Sequence, residues 1–323
     1  MDVISSGGSD RRLAQAALYD AARAYAAGSK APNTIRAYRS DLADFEDWCE
    51  GQGVRALPAT PATIALYLTA LAQAGAKAST LQRRISALSQ AHQMAGRVPS
   101  PTADPVVRAT MAGIRRALGT APTQKTALLT AELRQLLAAT DPTGLAGARD
   151  RALLLLGFSG GFRRSELVSL DVEDLEETED GLRVRIRRGK TDQEGQGREV
   201  GIPRGRHPST CPVRAVVAWR SLAGIAAGPL FRPVSRHGVV SRQRLSDRGV
   251  ARIVQRAAQN AGLDPALYAG HSLRAGLATS AAAGGASERA IMAQTGHRSV
   301  TMVRRYIRSG SLFSENAAAF TGL

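Results

Sequence analysis

Residues 269–276 read Ala-Gly-His-Ser-Leu-Arg-Ala-Gly, and this stretch limits the fold and the chemistry of the chain more than any other. Its histidine and arginine, His271 and Arg274, are three residues apart, so a helix would present both on one face. Two further groups follow, His297 and, nine residues later, Tyr306. Together these groups could bind a phosphate, move a proton and attack phosphorus. Each also has an ordinary structural interpretation, since a histidine can cap a helix and a tyrosine in an amphipathic helix commonly packs in a core.

A second set of cations lies far upstream. Residues 160–167 read Gly-Gly-Phe-Arg-Arg-Ser-Glu-Leu, which places Arg163 directly after a glycine turn. An arginine can donate two parallel hydrogen bonds to a phosphate and never loses its charge. Lys190 follows in Arg-Gly-Lys-Thr and is the only lysine after Lys125. Taken alone, Arg163 could equally form a surface ion pair with Glu166, and Lys190 could be a solvated loop lysine.

The order and spacing of these motifs resemble the tyrosine recombinase (phage integrase) family, and the resemblance runs from about residue 15 to the end of the chain. Each motif alone would be weak, but several ordered matches at compatible spacings are specific. The family pattern selects Arg163 rather than Arg164 as the first arginine. One departure is Ala275, where many family members carry a histidine after the second arginine.

The resemblance assigns a role to each cation. Arg163 and Arg274 would grip the two non-bridging oxygens of a phosphodiester, where fixed donors stabilise the charge of the transition state. Lys190 would protonate the leaving 5′ oxygen, which a lysine can do when neighbouring cations or burial make it a stronger acid. Glu166 would lie behind these groups and orient one of them.

The remaining roles concern the nucleophile. Tyr306 would attack phosphorus, and cations around it are expected to help it lose its proton, because free tyrosine has a pKa near 10. His271 would accept the tyrosine proton or contact the phosphate. His297, a position at which most family members carry histidine, would donate a hydrogen bond to the phosphate.

These roles imply a site-specific recombinase that cuts and rejoins DNA through a 3′-phosphotyrosyl intermediate and a Holliday junction. It would act as a homotetramer on two short inverted-repeat sites in double-stranded DNA, with no metal and no other cofactor. Two alternatives remain open. A type IB topoisomerase-like strand transferase shares the chemistry, and a non-catalytic DNA-binding regulator could keep the fold. The complete set of catalytic groups argues against the regulator.

The composition agrees with these expectations without deciding among them. The 323 residues carry a formal net charge of +16, and polyanions are natural partners of such a protein. Residues 1–126 carry 15 Lys and Arg against 9 Asp and Glu, and residues 127–323 carry 28 against 18, so both parts are basic. A GC-rich genome that favours arginine codons is the alternative explanation of the arginine excess.

Other classes of protein are disfavoured by what the sequence lacks. Cys49 and Cys211 have neither a zinc-binding spacing nor a disulfide pattern, and Cys49 lies in a helical pattern where burial is expected. No apolar run is long enough for a membrane span, and no signal peptide precedes the first helix. We therefore expect a cytoplasmic protein that does not associate with a membrane.

The chain is predicted to be mostly α-helical with a small antiparallel β-sheet. We expect a disordered lead at residues 1–11, an all-helical DNA-binding domain at 12–118, a linker at 119–126 and a mixed catalytic domain at 127–323. By the resemblance, the two domains would form a C-shaped clamp on DNA.

Helix boundaries follow from capping residues and apolar periodicity. A first helix is predicted at 12–27, a buried helix at 150–157 and a short helix at 163–170. Helix starts are predicted at Asn33-Thr34, Thr60-Pro61, Ser79-Thr80, Asp104-Pro105 and Thr130.

Apolar residues at 182, 184 and 186 alternate with arginines and predict a half-buried strand. It would pair with a second strand containing Val200 and Ile202 in an antiparallel hairpin, and Lys190 would lie in the connecting loop.

Four arginines are candidates for DNA contacts: Arg36, Arg83, Arg84 and Arg248. By the resemblance, Arg36, Arg83 and Arg248 could read base edges, while phosphate contact or plain exposure remains the alternative for each. Near the end of the chain, residues 312–320 would form a short helix capped by Ser314. Such a helix needs a surface to pack on, either its own domain or, by the resemblance, a neighbouring protomer in a closed ring of four.

Overall fold

The computed structural model of the chain describes residues 15, 18–22, 25, 28–121, 125–189, 192, 195–310 and 321, and for residues 309 and 310 the backbone alone. The chain divides into two compact units, Met1–Thr123 and Gln124–Leu323. Three predictions fall outside the described residues: the lead at 1–11, the position of Lys190 and the helix at 312–320. Of the described helices, none combines the length and the apolar character that crossing a membrane would demand.

The described part of the first unit is helical. Residues 18–22, inside the predicted segment 12–27, are helical, and a 3-10 turn at Pro101–Ala103 leads into the last helix. The main helices are α1 (Pro32–Gly51), α2 (Pro61–Gln73), α3 (Ala78–Met94) and α4 (Pro105–Leu118). Their apolar faces meet in one core, which includes Phe45, Tyr67 and Leu88 and also the buried Cys49. The burial expected for Cys49 is confirmed.

Two of the predicted helix caps in this unit are confirmed and two are wrong. The Thr60 hydroxyl accepts a hydrogen bond from the Thr63 N–H, and the Asp104 carboxylate accepts one from the Val106 N–H. In contrast, the Asn33-Thr34 and Ser79-Thr80 pairs lie inside α1 and α3, which begin at Pro32 and Ala78 without a side-chain cap. Proline at the first position is already set for the helix, and core packing of Ala78 and Leu81 positions the start of α3.

The second unit contains eight α-helices within its described residues. They are α5 (Thr130–Ala138), α6 (Leu145–Ser159), α7 (Arg164–Ser169), α8 (Pro212–Leu222), α9 (Asp247–Asn260), α10 (Gly270–Ala283), α11 (Glu288–Thr295) and α12 (Val300–Gly310). Thr130 is the first residue of α5 rather than its cap, and its N–H instead donates to the Ser280 hydroxyl of α10 at 3.3 Å. A partner distant in sequence therefore replaces the predicted local cap.

Helix α6 is the buried helix predicted at 150–157, and it is longer at both ends. Arg149 and Asp150 are its only buried charged residues, and they form an ion-pair network. Asp150 accepts from Arg149 at 2.7 Å and from Arg256 of α9 at 2.6 Å. Buried charges need such partners, and this pairing attaches α6 to α9.

A three-stranded antiparallel sheet packs on the helices, with strands β1 (Leu175–Glu177), β2 (Gly181–Ile186) and β3 (Arg198–Pro203) in the order β1-β2-β3. The predicted hairpin of β2 and β3 is confirmed, with Val184 opposite Val200 and Leu182 opposite Ile202. The strand β1 was not predicted, because three residues are too few to show an alternating pattern. The sheet places Gly189 and Arg198, which flank the hairpin loop, beside the start of α7.

Candidate active site

The first turn of α10 holds His271 and Arg274 on one face, as their spacing predicts. The Ser272 hydroxyl accepts a hydrogen bond from the Ala269 N–H at 3.0 Å and so caps the start of this helix. The Ser272 carbonyl accepts from the Leu128 N–H at 3.0 Å, which fixes the helix end against the chain entering the second unit.

The Arg274 guanidinium is buried, with 1% of the residue exposed. Its Nη1 donates to the Gly161 carbonyl at 2.7 Å and also to the Thr295 carbonyl. Gly161 adopts a φ of +56°, a conformation that glycine accepts at little cost, so the predicted Gly-Gly turn aims a carbonyl at this arginine. The other nitrogen, Nη2, is buried and has no hydrogen-bond partner among the described residues. An anion would satisfy it.

Arg163 occupies the cap position of α7, one residue before the helix begins. The Glu166 carboxylate, which is 1% exposed, accepts from the Arg163 backbone N–H at 3.0 Å and from its Nη1 at 2.5 Å. Arg163 Nη2 lies 3.5 Å from the Gly296 carbonyl. The surface ion pair considered from the sequence is thus a largely buried one, in which a carboxylate holds the arginine at both ends.

A further cation of this site, Arg198, was missed from the sequence. Its Nη2 lies 3.3 Å from Glu166 Oε2 and its Nη1 donates to the Gln294 carbonyl at 3.2 Å. Gln294 in turn donates to the Ser159 carbonyl of α6 and the Gly201 carbonyl of β3, at 2.8 and 3.1 Å. The signal was present, because Arg198 shares strand parity with the buried Val200 and so lies on the inner face of β3.

His297 enters the site through the turn that ends α11. Gly296 caps this helix in the left-handed conformation, with φ +65°, and a side chain there would collide with the Arg198 guanidinium. The His297 Nδ1 lies 2.7 Å from the hydroxyl of Thr295, a fully buried residue. Thr295 was also missed, since its contact with His297 depends on a turn that the sequence pattern does not specify.

Tyr306 of α12 is 5% exposed and packs among Ala275, Ala278, Ile291 and Val303. Its hydroxyl nevertheless reaches the site, because His271 Nε2 lies 2.9 Å from Tyr306 Oη. The ring therefore packs in a core, as the structural interpretation predicts, while the hydroxyl lies where the catalytic interpretation requires it.

The cations expected to help this tyrosine lose its proton do act in that direction, but burial outweighs them. Burial raises the pKa of the Tyr306 hydroxyl, and the opposing influence of the Arg274 and Arg305 cations does not offset it. The phenol is consequently neutral in the free protein, and its attack on phosphorus would require a proton acceptor.

Both histidines are neutral at pH 7. Desolvation lowers the pKa of His271, and the Arg274, Arg164 and Arg163 cations lower it further. Desolvation and the same kind of cationic surroundings, with Arg274 first, lower the pKa of His297 to about 3. The neutral imidazole of His271, whose Nε2 lies 2.9 Å from Tyr306 Oη, is able to accept the proton of that hydroxyl.

The site as a whole is suited to an anion. A depression of about 200 Å³ is lined by Arg163, Glu166, Arg198 and His297, among others. Four guanidinium groups, those of Arg163, Arg198 and Arg298 and of the adjacent Arg274, oppose two carboxylates, Glu166 and Asp192. Burial also lowers the pKa of Arg274 to about 10, which shows how little solvent compensates its charge. A bound phosphate would supply that compensation.

Five of the six predicted catalytic residues therefore meet, together with Glu166, whereas Lys190 lies outside the described residues. Tyr268, the other tyrosine near this region of the sequence, packs in a separate core cluster with Leu128 and Leu133. Among the described residues there is no cluster of His, Cys, Asp and Glu side chains suited to holding a metal ion.

The four arginines predicted to contact DNA have different surroundings. Arg36 donates to the Asn33 side chain at 3.1 Å, and Arg83, whose side chain is 43% exposed, forms an ion pair with the buried Asp41. Arg84 is engaged by Asp44 and Tyr67 of its own unit. In the second unit Arg248 is exposed in the first turn of α9, and no ion pair joins it to another described residue.

Comparison with known proteins places this site in a family. The profile of the phage integrase family matches residues 127–311, and that of the phage integrase N-terminal SAM-like domain matches residues 25–97. The chain belongs to the phage integrase family. It is a tyrosine recombinase, a class of enzyme that transfers DNA strands.

Two of the relatives that extend over most of the chain illustrate the similarity. An integrase/recombinase described as a XerD homologue, from Selenomonas ruminantium, is 45% identical over 291 residues, covering 90% of this chain and 85% of that protein. The recombinase Cre of Escherichia phage P1 is 28% identical over 291 residues, covering 84% of this chain and 82% of Cre.

Solved structures share the fold at lower identity. A lambda integrase dimer bound to a core site superposes with a TM-score of 0.61 at 19% identity, over 90% of this chain and 94% of that one. The Tn1549 transposon integrase in complex with transposon right end DNA gives a TM-score of 0.62 at 14% identity, over 92% and 98%. The predicted fold class, mostly helical with a small antiparallel sheet, is confirmed.

Proposed function

We propose that the chain is a site-specific recombinase that cleaves double-stranded DNA with Tyr306 and conserves the bond energy in a 3′-phosphotyrosyl link. The observation that carries this is the 2.9 Å contact between His271 Nε2 and Tyr306 Oη, beside the buried Arg274. Any buried tyrosine hydroxyl needs a hydrogen-bond partner, but here the partner is a neutral imidazole that can accept its proton, beside cations suited to a phosphate. The lambda integrase and Tn1549 integrase structures contain DNA, which supports DNA as the substrate.

The chemical step follows from the positions of these groups. The scissile phosphate occupies the depression, with its non-bridging oxygens on Arg163 and on the unpartnered Nη2 of Arg274. Tyr306 Oη bonds to phosphorus as its proton passes to His271 Nε2. The bond from phosphorus to the 5′ oxygen breaks, and that oxygen leaves as a hydroxyl with a proton that we assign to Lys190.

Rejoining is the same reaction in reverse. A 5′ hydroxyl from a second duplex returns a proton to Lys190 as it attacks the phosphotyrosine, and it displaces Tyr306, which regains its proton from His271. Because each cleaved bond is exchanged for a new one of equal energy, no nucleotide cofactor is consumed. Glu166 touches no substrate in this scheme, and it holds Arg163 and Arg198 so that their donors are fixed before the phosphate arrives.

The assembly remains part of the proposal. Four protomers would bind two inverted-repeat sites, exchange strands through a Holliday junction and contact each other through residues 312–320. A lambda integrase tetramer bound to a Holliday junction has this fold, with a TM-score of 0.61, and this likeness supports the proposed assembly. Deletion of residues 312–323 should leave binding to one site nearly intact and abolish synapsis, which gel shifts that resolve one-site, two-site and synaptic species would detect.

The test of the function begins with the target. Protein is incubated with a library of duplexes that carry a randomised segment and a nick, and DNA that remains attached after denaturation is sequenced. A defined site in the covalent fraction supports the proposal. A chain that binds DNA and never forms the covalent complex would instead be a regulator.

A second assay separates recombination from relaxation. Plasmids with two selected sites, one site or none are compared in the same reaction. A recombinase yields recombinant products only from plasmids that carry a site and leaves the plasmid without a site unchanged, whereas a type IB topoisomerase-like enzyme relaxes all three.

A further inference from the structure

Thr295, the last residue of α11, contacts His297, the residue predicted to donate a hydrogen bond to the phosphate. Its hydroxyl oxygen has two close neighbours, the Ile291 carbonyl at 2.6 Å and His297 Nδ1 at 2.7 Å. Thr295 is fully buried, so water is not an alternative partner for either contact.

The Thr295 hydroxyl has a single proton, which it can donate to only one of these two neighbours. A carbonyl oxygen can only accept, so the short contact with Ile291 is a hydrogen bond only if the Thr295 hydroxyl donates to it. The hydroxyl then has lone pairs left, and the contact with His297 is a hydrogen bond only if Nδ1 carries a proton and donates. Both contacts are satisfied together by one of the two neutral tautomers of His297.

We propose that Thr295 is a positioning residue that holds His297 as the Nδ1–H tautomer, so that Nε2 carries no proton in the free protein. No described residue forms a hydrogen bond with Nε2. A single neutral imidazole has one ring proton, so fixing that proton on Nδ1 turns the outer nitrogen into an acceptor. This is the opposite of the donor that the phosphate role of His297 requires.

The consequence for the reaction rests on the proposed function. An unprotonated Nε2 facing a phosphate oxygen would set two lone pairs against each other. Docking of the phosphate should therefore be coupled to the uptake of a proton from solvent by Nε2, which then donates to the phosphate. The negative charge of the phosphate favours this uptake, because it opposes the cations that keep the ring neutral beforehand.

The groups around His297 agree with a neutral ring in the free protein. Those that act on it come from four elements: Arg163 at α7, Arg198 on β3, His271 and Arg274 on α10, and Tyr306 on α12, whose ring centroid is 5.8 Å away. The same depression contains Glu166, Asp192 and Arg298. Cations outnumber carboxylates around the ring, and Glu166 is already occupied by Arg163 and Arg198.

The chain offers a matched pair of threonines for the test. Thr140, next to α5, donates to the Leu136 carbonyl at 2.7 Å in the same four-residue pattern, without a histidine on its hydroxyl. Thr295→Val removes the hydroxyl at nearly constant volume, Thr295→Ser retains it, and Thr140→Val is the control for loss of a threonine hydroxyl of this kind.

The experiment measures the ring nitrogens of His297 directly in the full-length protein. The protein is labelled with ¹⁵N-histidine, His297 is assigned by comparison with His297→Gln, and long-range ¹H–¹⁵N spectra are recorded near pH 7.5. We expect the wild type, Thr295→Ser and Thr140→Val to show Nδ1 protonated and Nε2 unprotonated, and Thr295→Val to lose this preference.

The wild-type spectrum decides the tautomer even if Thr295→Val does not fold. A neutral ring with the proton on Nε2, or an imidazolium at this pH, would overturn the proposal, and so would an unchanged Nδ1–H tautomer in Thr295→Val.

Calorimetry with the duplex selected above tests the proton uptake. Binding to Tyr306→Phe protein, which cannot cleave, is measured in buffers that differ in ionisation enthalpy. We expect Tyr306→Phe protein that retains Thr295 to take up about one proton on binding, and the double variant with Thr295→Val to take up less. The dependence of the binding enthalpy on the buffer gives the difference in bound protons between the free and bound states. Equal uptake by both would refute the coupling. The tautomer result does not depend on cleavage, so failure of this inference and failure of the recombinase proposal are distinguishable.

Discussion

His271 Nε2 and Tyr306 Oη, from residues that are 35 positions apart in sequence, lie 2.9 Å apart, and this contact joins the first turn of α10 to α12. The tyrosine hydroxyl is held neutral by burial, while the histidine is held neutral by desolvation and by arginines. A neutral acid and a neutral base at hydrogen-bond distance are ready for proton transfer when the phenol begins to attack.

Replacing the nucleophile should separate binding from chemistry. We expect Tyr306→Phe to bind the selected duplex as the wild type does and to form no covalent complex on a nicked substrate, measured on denaturing gels. Tyr268→Phe is the control, because Tyr268 is also buried but lies in another core cluster. A persistent covalent band in Tyr306→Phe would remove Tyr306 from the mechanism.

Removing the proton acceptor should slow cleavage in a way that depends on pH. We expect His271→Ala to reduce the single-turnover cleavage rate at pH 7 by about 10²–10⁴-fold, the usual contribution of a general base. The deficit should shrink as the pH rises, because the raised pKa of Tyr306 leaves more phenolate only under alkaline conditions. His207→Ala, an exposed histidine of the same unit, should have no effect. A deficit that is the same at every pH would contradict the role of His271 as base.

The sequence predicted which of the candidate groups lie together where their positions depend on local spacing. His271 and Arg274 needed only a helix, and Arg163 with Glu166 needed only the first turn of α7. Arg198 was recognisable from strand parity as a charge on an inner face. The contacts of Thr295 and Gln294 were beyond prediction, because they arise from a turn and from the approach of α11 to α6 and β3.

The same limit applies to helix caps and to the tyrosine pKa. Thr60 and Asp104 cap their helices through neighbours in sequence, and these predictions were confirmed. Thr130 depends on Ser280, 150 residues away, and no local pattern reveals such a partner. The cations around Tyr306 act in the expected direction, but the pKa of its hydroxyl also depends on burial, which outweighs them here and which a count of charges cannot show.

The buried carboxylate should matter for both stability and catalysis. Glu166→Gln keeps the shape of the side chain but leaves Arg163 and Arg198 without their counter-charge. We expect a loss of about 3–5 kcal/mol in the free energy of unfolding, from urea titration, since one partner of a buried ion pair is removed. Cleavage should fall as well, because Arg163 is no longer fixed.

A matched control for this change lies on the sheet. Glu176 pairs with Arg183 at 3.0 Å, but both side chains are more than half exposed. Glu176→Gln should change the free energy of unfolding by less than about 1 kcal/mol. Equal effects of the two substitutions would mean that Glu166 does not organise the site.

Acid should destabilise the fold through His297. Its pKa is about 3 in the folded protein and 6.5 as an ordinary histidine, so the unfolded state binds the proton first as the pH falls. Stability is therefore lost progressively below about pH 6.5, by at most about 1.4 kcal/mol per pH unit and by less for a partly exposed ring. Urea titrations between pH 7 and pH 5 should show a smaller slope for His297→Gln than for the wild type. His237→Gln, which alters an exposed histidine, should keep the wild-type slope, and an identical slope for all three proteins would contradict the shifted pKa.

The last prediction concerns how DNA is read. Binding should weaken with salt, with a slope of about −0.9 in log K against log salt for each neutralised phosphate. Arg83 is held by the buried Asp41 and remains 43% exposed, so its guanidinium is both fixed and accessible, and Arg248 is exposed at the start of α9. We expect Arg83→Ala and Arg248→Ala each to relax preference at particular base pairs by roughly 1–3 kcal/mol.

Arg84→Ala is the comparison, because Asp44 and Tyr67 already occupy its guanidinium, and it should lower stability more than sequence preference. The measurement is binding to the selected duplex and to a set of single base-pair variants at several salt concentrations. If Arg83→Ala and Arg248→Ala weaken every duplex equally and reduce the salt slope, these arginines contact phosphates, and the base-reading assignment is wrong.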